Sequence, residues 1–178
     1  MKIAFITPFP PYRGGISKHS ENLYNTLKIN HDIDVYNFKR QYPNILFPGK
    51  TQYQISKKDN LNSFRIIDTI NPFSWNKTAK QVIKLKYDVV LFRYWHPFFI
   101  PAYNSIIKTI RQSKNRMKIF AICDNIIPHE SYSLQKILIK KFIDKLDGVI
   151  TMSENVNNEL KNINSKINSK CLFLPILD

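Results

Sequence analysis

The sequence predicts an α/β fold, a doubly wound and mostly parallel sheet with flanking helices. Three observations predict it. Short apolar runs alternate with longer amphipathic segments, the pattern of successive strand–helix–strand crossovers. Two of the runs, YDVVLF from Tyr87 and KIFAIC from Lys118, are apolar throughout, as burial on both faces of a parallel sheet requires. The 178 residues, with ordinary hydrophobic content and many aromatics, suit one domain with a real core.

The elements follow in order. Residues 2–7 (KIAFIT) read as the first strand, and residues 16–29 as a helix, because Leu23 and Leu27 stand four apart with Tyr24 beside them. Residues 33–38 are a second strand. An irregular stretch covers about 39–60, longer than a compact domain tolerates without a use, which favours a binding loop. Residues 64–70 are a third strand, and residues 71–85 a helix for which Ser74 is a candidate N-cap. A strand at 87–94, a helix at 98–112 and a strand at 118–123 come next. A helix at 132–146, a strand at 148–152 and a helix at 154–162, capped by Ser153, lead to a last apolar run at 170–174.

In the helix at 132–146, Leu134, Ile137, Leu138, Phe142 and Leu146 are apolar among Lys136, Lys140, Lys141 and Lys145. One face is expected to pack on the sheet. The lysines either touch an anionic bilayer or form an ordinary solvated face, and residues 108–118 add further cations.

The formal net charge is +14. Such a field attracts anions: nucleic acid, lipid headgroups or phosphorylated substrates. A genome rich in Lys, Asn and Ile codons gives the same composition. No recognition element interleaves aromatics with the basic residues, so nucleic acid is not expected as a partner. No apolar run approaches the ~20 residues of a membrane span, and the N-terminus lacks the pattern of a signal peptide. Cys123 and Cys171 read as buried thiols of a cytosolic protein, and no metal-ligand spacing occurs.

The stretch PFPPYRGGIS leaves the first strand at the edge of the sheet where ligands collect. Gly14 and Gly15 come just before a helix start, whose unpaired amides and dipole favour an anion, and glycine lets that anion approach. The stretch therefore reads as a phosphate cradle or as a simple turn. It is not the dinucleotide fingerprint. FPGKT, residues 47–51, ends like a P-loop but has Asn44 where that motif needs glycine, and it neither follows a strand nor opens a helix.

TPFPPYRGGISKH after the first strand resembles the donor-side glycine loop of family-4 glycosyltransferases. FKRQYPNILFPGKTQ, NPFSWNK, YWHPFFIPA, CDNIIPHE and DGVITMSENV resemble successive blocks of a bacterial branch of that family, in order and over nearly the whole chain. The resemblance implies the N-terminal half of a GT-B fold, in which two Rossmann-like domains face across a cleft. Residues 1–174 would form the acceptor-side domain and residues 175–178 the start of the interdomain hinge, with the C-terminal nucleotide-sugar domain absent from this chain. The implied activity of a complete enzyme is retaining transfer of a sugar from a nucleotide-sugar to a glycan or lipid-linked acceptor. The nucleotide-sugar is a co-substrate, and neither cofactor nor metal is implied. The companion domain, in the same enzyme or a separate subunit, would be the partner. The place would be the cytoplasm, with an anionic inner membrane face as a possible surface. The alternative is a non-catalytic half that docks a membrane or a catalytic subunit.

By the resemblance, Gly14 and Gly15 donate amides to the donor diphosphate, and Asp124 stands where the family has a histidine near the transferred sugar. An aspartate cannot supply a neutral imidazole donor; it reads either as a partner of sugar hydroxyls or as a turn residue before Asn125. The resemblance also brings the irregular stretch near the acceptor, where Arg40 or Lys50 would hold an acceptor phosphate unless each is a solvated cation. From the residues themselves, Arg93, Trp95 and His96 leave a strand at the ligand edge, an aromatic face beside polar groups that suits a sugar ring or simply packs the loop. His129 and Glu130 either meet acceptor hydroxyls or open the next helix. His19, one turn into the first helix, faces the cleft or solvent.

Overall fold

A computed structural model describes residues 1–43, 52–53, 63–127 and 133–172. Seven parallel strands form one sheet: β1 (Lys2–Ile6), β2 (Asp32–Arg40), β3 (Ser63–Asp68), β4 (Val89–Tyr94), β5 (Lys118–Cys123), β6 (Gly148–Thr151) and β7 (Ser169–Cys171). Their spatial order is β3-β2-β1-β4-β5-β6-β7. The chain winds outward from β1 to β3, then returns to the other side of β1 at β4. The β1–β4 boundary is therefore the topological switch point, and the crevice beyond its carboxyl ends is where such sheets receive ligands.

The crossovers are α1 (Gly15–Leu27), α2 (Pro72–Leu85), α3 (Ile100–Arg111), α4 (Ser133–Ile143) and α5 (Glu154–Ile163). Alternate strand residues build two cores. The larger contains Ala4, Ile6, Phe92, Tyr94 and Cys123, covered by residues of α2 to α5. The smaller contains Ile3, Phe5, Ile33, Leu91 and Ile122, with Leu23, Tyr24 and Leu27 of α1 packed on it. The periodicity expected of the first helix is thus the face that it buries.

Caps explain the helix starts. Pro72 occupies the first position of α2, where its missing N–H costs nothing, so the cap falls on Asn71, whose side chain accepts from Phe73 N at 3.0 Å. This corrects the expectation of Ser74, whose Oγ instead accepts from Asp68 N at 3.0 Å. Ser153 caps α5 as expected, accepting from Val156 N at 3.3 Å. In α4 the buried residues are Ile139, Phe142 and Ile143, while Leu134, Ile137 and Leu138 lie exposed. The apolar residues of that helix fall in two stripes, and only one reaches the sheet, so the expected packing face holds for Phe142 and not for its N-terminal half. Cys123 is buried as expected, but Cys171, on the edge strand, is half-buried; both are free thiols. The P-loop-like stretch lies outside the described residues.

The segment after β1 is held from both sides. Phe9 and Tyr12 are buried, and the Phe9 ring meets Tyr24 of α1 edge-on at 5.5 Å. From β2, the fully buried Asn37 accepts at Oδ1 from Phe9 N (3.1 Å) and Phe38 N (2.8 Å). Its Nδ2 donates to Phe9 O (2.9 Å) and Pro10 O (3.3 Å). A polar side chain inside an apolar strand thus satisfies backbone groups of a segment that makes few ladder bonds of its own. Asn37→Leu keeps the branched shape and orphans those groups, so it is expected to destabilise the fold by about 2–4 kcal/mol, read as a lowered urea midpoint with an unchanged m-value.

Candidate functional site

Helix α1 opens without a side-chain cap. Gly14 takes the N-cap position at φ 111°, a conformation that suits glycine alone, and the first helical bond runs from Lys18 N to Gly14 O at 3.1 Å. Among the described residues, a Cβ at Gly14 or Gly15 would meet no atom within 4 Å, so they leave the space before the first-turn amides open. Those amides have no intrahelical partner. Beneath them the Ser17 hydroxyl is buried and unpaired among the described residues.

Beside this turn, at the carboxyl ends of β4 and β5, lies a cluster of three side chains. Arg93 has 1% of its surface exposed. Its Nε donates to Asp124 Oδ2 at 2.6 Å, and Nη2 pairs with Asp124 Oδ1. Its Nη1 meets His19 Nδ1 of α1 at 2.7 Å. A guanidinium only donates, so His19 Nδ1 accepts and the ring is the neutral tautomer with its proton on Nε2. Burial first, and then the Arg93 charge, hold the His19 pKa below its ordinary value, with Asp124 acting in the opposite direction. The Tyr103 hydroxyl donates to Arg93 O at 2.9 Å and fixes the backbone behind the cluster. The structure thus joins three residues that the sequence offers separately, from α1, β4 and the turn after β5.

A second group lies on the β2 side of the crevice. Trp95 is half-buried, donates from Nε1 to the Tyr42 hydroxyl at 3.1 Å, and its ring lies 4.1 Å from that of Phe99. Tyr42 in turn stacks on Phe98 at 5.6 Å. His96 caps the 3₁₀ turn Pro97–Phe99, with Nδ1 accepting from Phe98 N at 3.2 Å, and burial lowers its pKa. It borders a groove of about 470 Å³ lined by Ile70, Trp75, Phe98, Pro101 and Leu138 among others. Arg40 forks onto Asp68, with Nε to Oδ1 at 2.9 Å and Nη2 to Oδ2 at 2.5 Å. Arg40, Trp95 and His96 therefore stand apart from the His19–Arg93–Asp124 cluster. Lys50, His129 and Glu130 lie outside the described residues. No group of three or more His, Cys, Asp or Glu among the described residues is placed to hold a metal ion.

Sequence reasoning missed Asn37, Asp68 and Ser17 as parts of this region. Asn37 carried a signal: an amide in the middle of the run DVYNF conflicts with a strand buried on both faces. Asp68 pairs with Arg40 across 28 positions, and nothing local marks it.

No protein-family model matches the chain, and no curated protein matches it in sequence. Solved structures do match in fold. An alpha-glucosyltransferase in complex with UDP and a 13-mer DNA is similar at TM-score 0.63 and 13% identity, over 99% of this chain and 43% of that one. A trehalose-6-phosphate protein from E. coli bound with UDP-2-fluoro glucose is similar at TM-score 0.56 and 10% identity, over 96% and 48%. An alpha,alpha-trehalose-phosphate synthase from Burkholderia xenovorans in complex with glucose-6-phosphate is similar at TM-score 0.57 and 9% identity, over 99% and 50%. The chain spans half or less of the length of each.

Two outcomes follow from the cluster. Arg93→Met strands the Asp124 carboxylate beside apolar groups and is expected to cost about 3–5 kcal/mol, measured by chemical denaturation. The His19 pKa is lowered on folding, so the ring's contribution is complete above the unfolded value of about 6.5 and is lost as pH falls through the folded value. Stability is expected to decline as pH drops below about 6.5, and His19→Gln to flatten that decline.

Proposed function

We propose that the chain is the acceptor-side domain of a retaining, family-4-like glycosyltransferase that moves a sugar from a nucleotide-sugar to a glycan or lipid-linked acceptor, together with a companion nucleotide-binding domain. One observation carries the reading: a helix N-terminus opened by two glycines stands at the β1–β4 switch point beside a His19–Arg93–Asp124 cluster built on a buried guanidinium. The fold neighbours in complex with UDP or a UDP-sugar support it.

In the proposed reaction the bond from the anomeric carbon to the diphosphate oxygen breaks, and a bond from that carbon to an acceptor hydroxyl oxygen forms on the same face. The acceptor proton leaves with the nucleoside diphosphate. Negative charge gathers on the leaving diphosphate, and amides already aimed at that position stabilise it without reorganisation. Gly14 and Gly15 are the residues assigned to this task. Asp124 acts through Arg93 and His19, because both of its oxygens are engaged. His96 and the ring of Phe98 are assigned to the acceptor, which would lie in the groove on the β2 side, and Trp95 is assigned to support them through Tyr42 and Phe99. Arg40 offers the acceptor only the guanidinium edge that Asp68 leaves uncovered.

Titration of the ¹⁵N-labelled chain with millimolar UDP is expected to shift the amides of residues 14–17. Gly15→Glu adds a side chain into open space at a helix start that favours acidic residues, so the fold is expected to persist while UDP affinity falls at least about tenfold. Unmoved amides in the wild type, or undiminished binding by the variant, would remove the reading.

A further inference from the structure

Resting on the reading above, we infer that His19 is the neutral hydrogen-bond donor of this site and that its Nε2–H is directed to a hydroxyl of the sugar carried on the nucleotide. The argument starts from Arg93. Each of its three nitrogens is engaged by protein: Nε and Nη2 by Asp124 and Nη1 by His19. The side chain is buried, so the guanidinium does not itself present to a ligand. What it presents is the imidazole. By donating to Nδ1, it fixes the tautomer and the ring plane, and the remaining proton sits on Nε2, for which no described residue accepts. His19 is half-buried, so that N–H is open on one side.

Electrostatics choose the class of group that the N–H meets. The Arg93 and Asp124 charges cancel within the cluster, and His19 is kept neutral by burial and by the adjoining cation. The floor of the crevice therefore offers a directional donor with no net charge. The amides at Gly14 and Gly15, four to five residues earlier on the same helix, offer the anion site. One helical turn is 5.4 Å, a spacing that fits a diphosphate at the first turn and the ring attached to it at the second. A second anion at the floor would face a neutral donor with Asp124 behind it; a hydroxyl meets no such penalty. Asp124 is accordingly a positioning residue, holding Arg93 so that Arg93 holds His19.

The test uses the full chain labelled with ¹³C and ¹⁵N. Long-range ring correlations, assigned by loss of signal in His19→Gln, are expected to show a protonated Nε2 and a bare Nδ1, with titration below the ordinary histidine value. UDP-glucose is expected to shift His19 Nε2, and UDP alone to shift the amides of residues 14–17 and leave His19 Nε2 unmoved. His19→Ala is expected to weaken UDP-glucose about tenfold while leaving UDP unchanged, and His19→Gln, which can place an N–H at the same point, to restore most of the loss. A dominant Nδ1–H tautomer, or equal weakening of UDP and UDP-glucose, overturns the inference. So does an unshifted His19 in a chain whose glycine amides respond, and that result leaves the sugar-transfer reading standing. Silence of both His19 and the glycine amides removes the two together.

Discussion

A guanidinium with 1% of its surface exposed, set at the carboxyl end of a parallel sheet, is the constraint on which this site depends. Taking such a charge out of water costs several kcal/mol, and the cost is offset only if every donor finds a partner in good geometry. Arg93 has a protein partner at each of its three nitrogens, and three elements build the setting. Asp124 comes from the turn after β5, His19 from α1, and Tyr103 of α3 secures the carbonyl behind it. Because α1 is a helix of 13 residues, fixing His19 also fixes the helix's opening turn. The position of the glycines over the switch point is thus a consequence of how a buried cation is satisfied on the neighbouring strand.

The approach to that turn is built on the opposite principle from the turn itself. Between β1 and α1 the chain carries prolines and aromatics. Its backbone groups are gathered by Asn37, its Phe9 ring is wedged against Tyr24, and the Thr7 and Ser20 hydroxyls meet at 2.6 Å. Freedom is confined to Gly14 and Gly15, where the amides begin. A loop that is stiff up to its last two residues and bare at those two presents donors without having to order itself when a ligand arrives, and that ordering is one of the main costs of binding.

The strands were legible because burial on both faces leaves continuous apolar runs, and β5 spans the same residues in the sequence reading and in the structure. The start of α5 was legible because Ser153 is a cap with a single reading. Other features depended on partners that the local sequence does not name. The cap of α2 is Asn71 and not Ser74 because a proline at the first helical position decides the matter. The orientation of α4 was ambiguous because its apolar residues form two stripes, and α3 and the sheet chose one. The cluster was half legible. His19, Arg93 and Asp124 were each marked as polar residues near the ligand edge, but their union spans 74 and 31 positions of sequence. The available hint was the same as for Asn37: a charge inside the run VVLFRY has no place in a doubly buried strand unless a partner is waiting.

The chain's charge and the site's charge point in different directions, and distance reconciles them. The net charge is +14, yet the floor of the crevice is close to neutral because Arg93 and Asp124 cancel and His19 is uncharged. Part of the excess lies elsewhere. Lys114, Arg116 and Lys118 border a hollow of about 600 Å³ where β5 begins, at the amino end of the sheet. Lys118 and Cys123 are the two ends of the strand, roughly 17 Å apart at the rise of a β-strand. Salt at physiological strength screens exposed charges over about 8 Å, so these cations have little direct effect on a group bound at the glycine turn. They act on the approach, drawing polyanions toward the molecule from bulk solution. In the proposed reading, what is retained at the switch point would be decided by unpaired amides and one oriented N–H, whose reach is a single hydrogen bond.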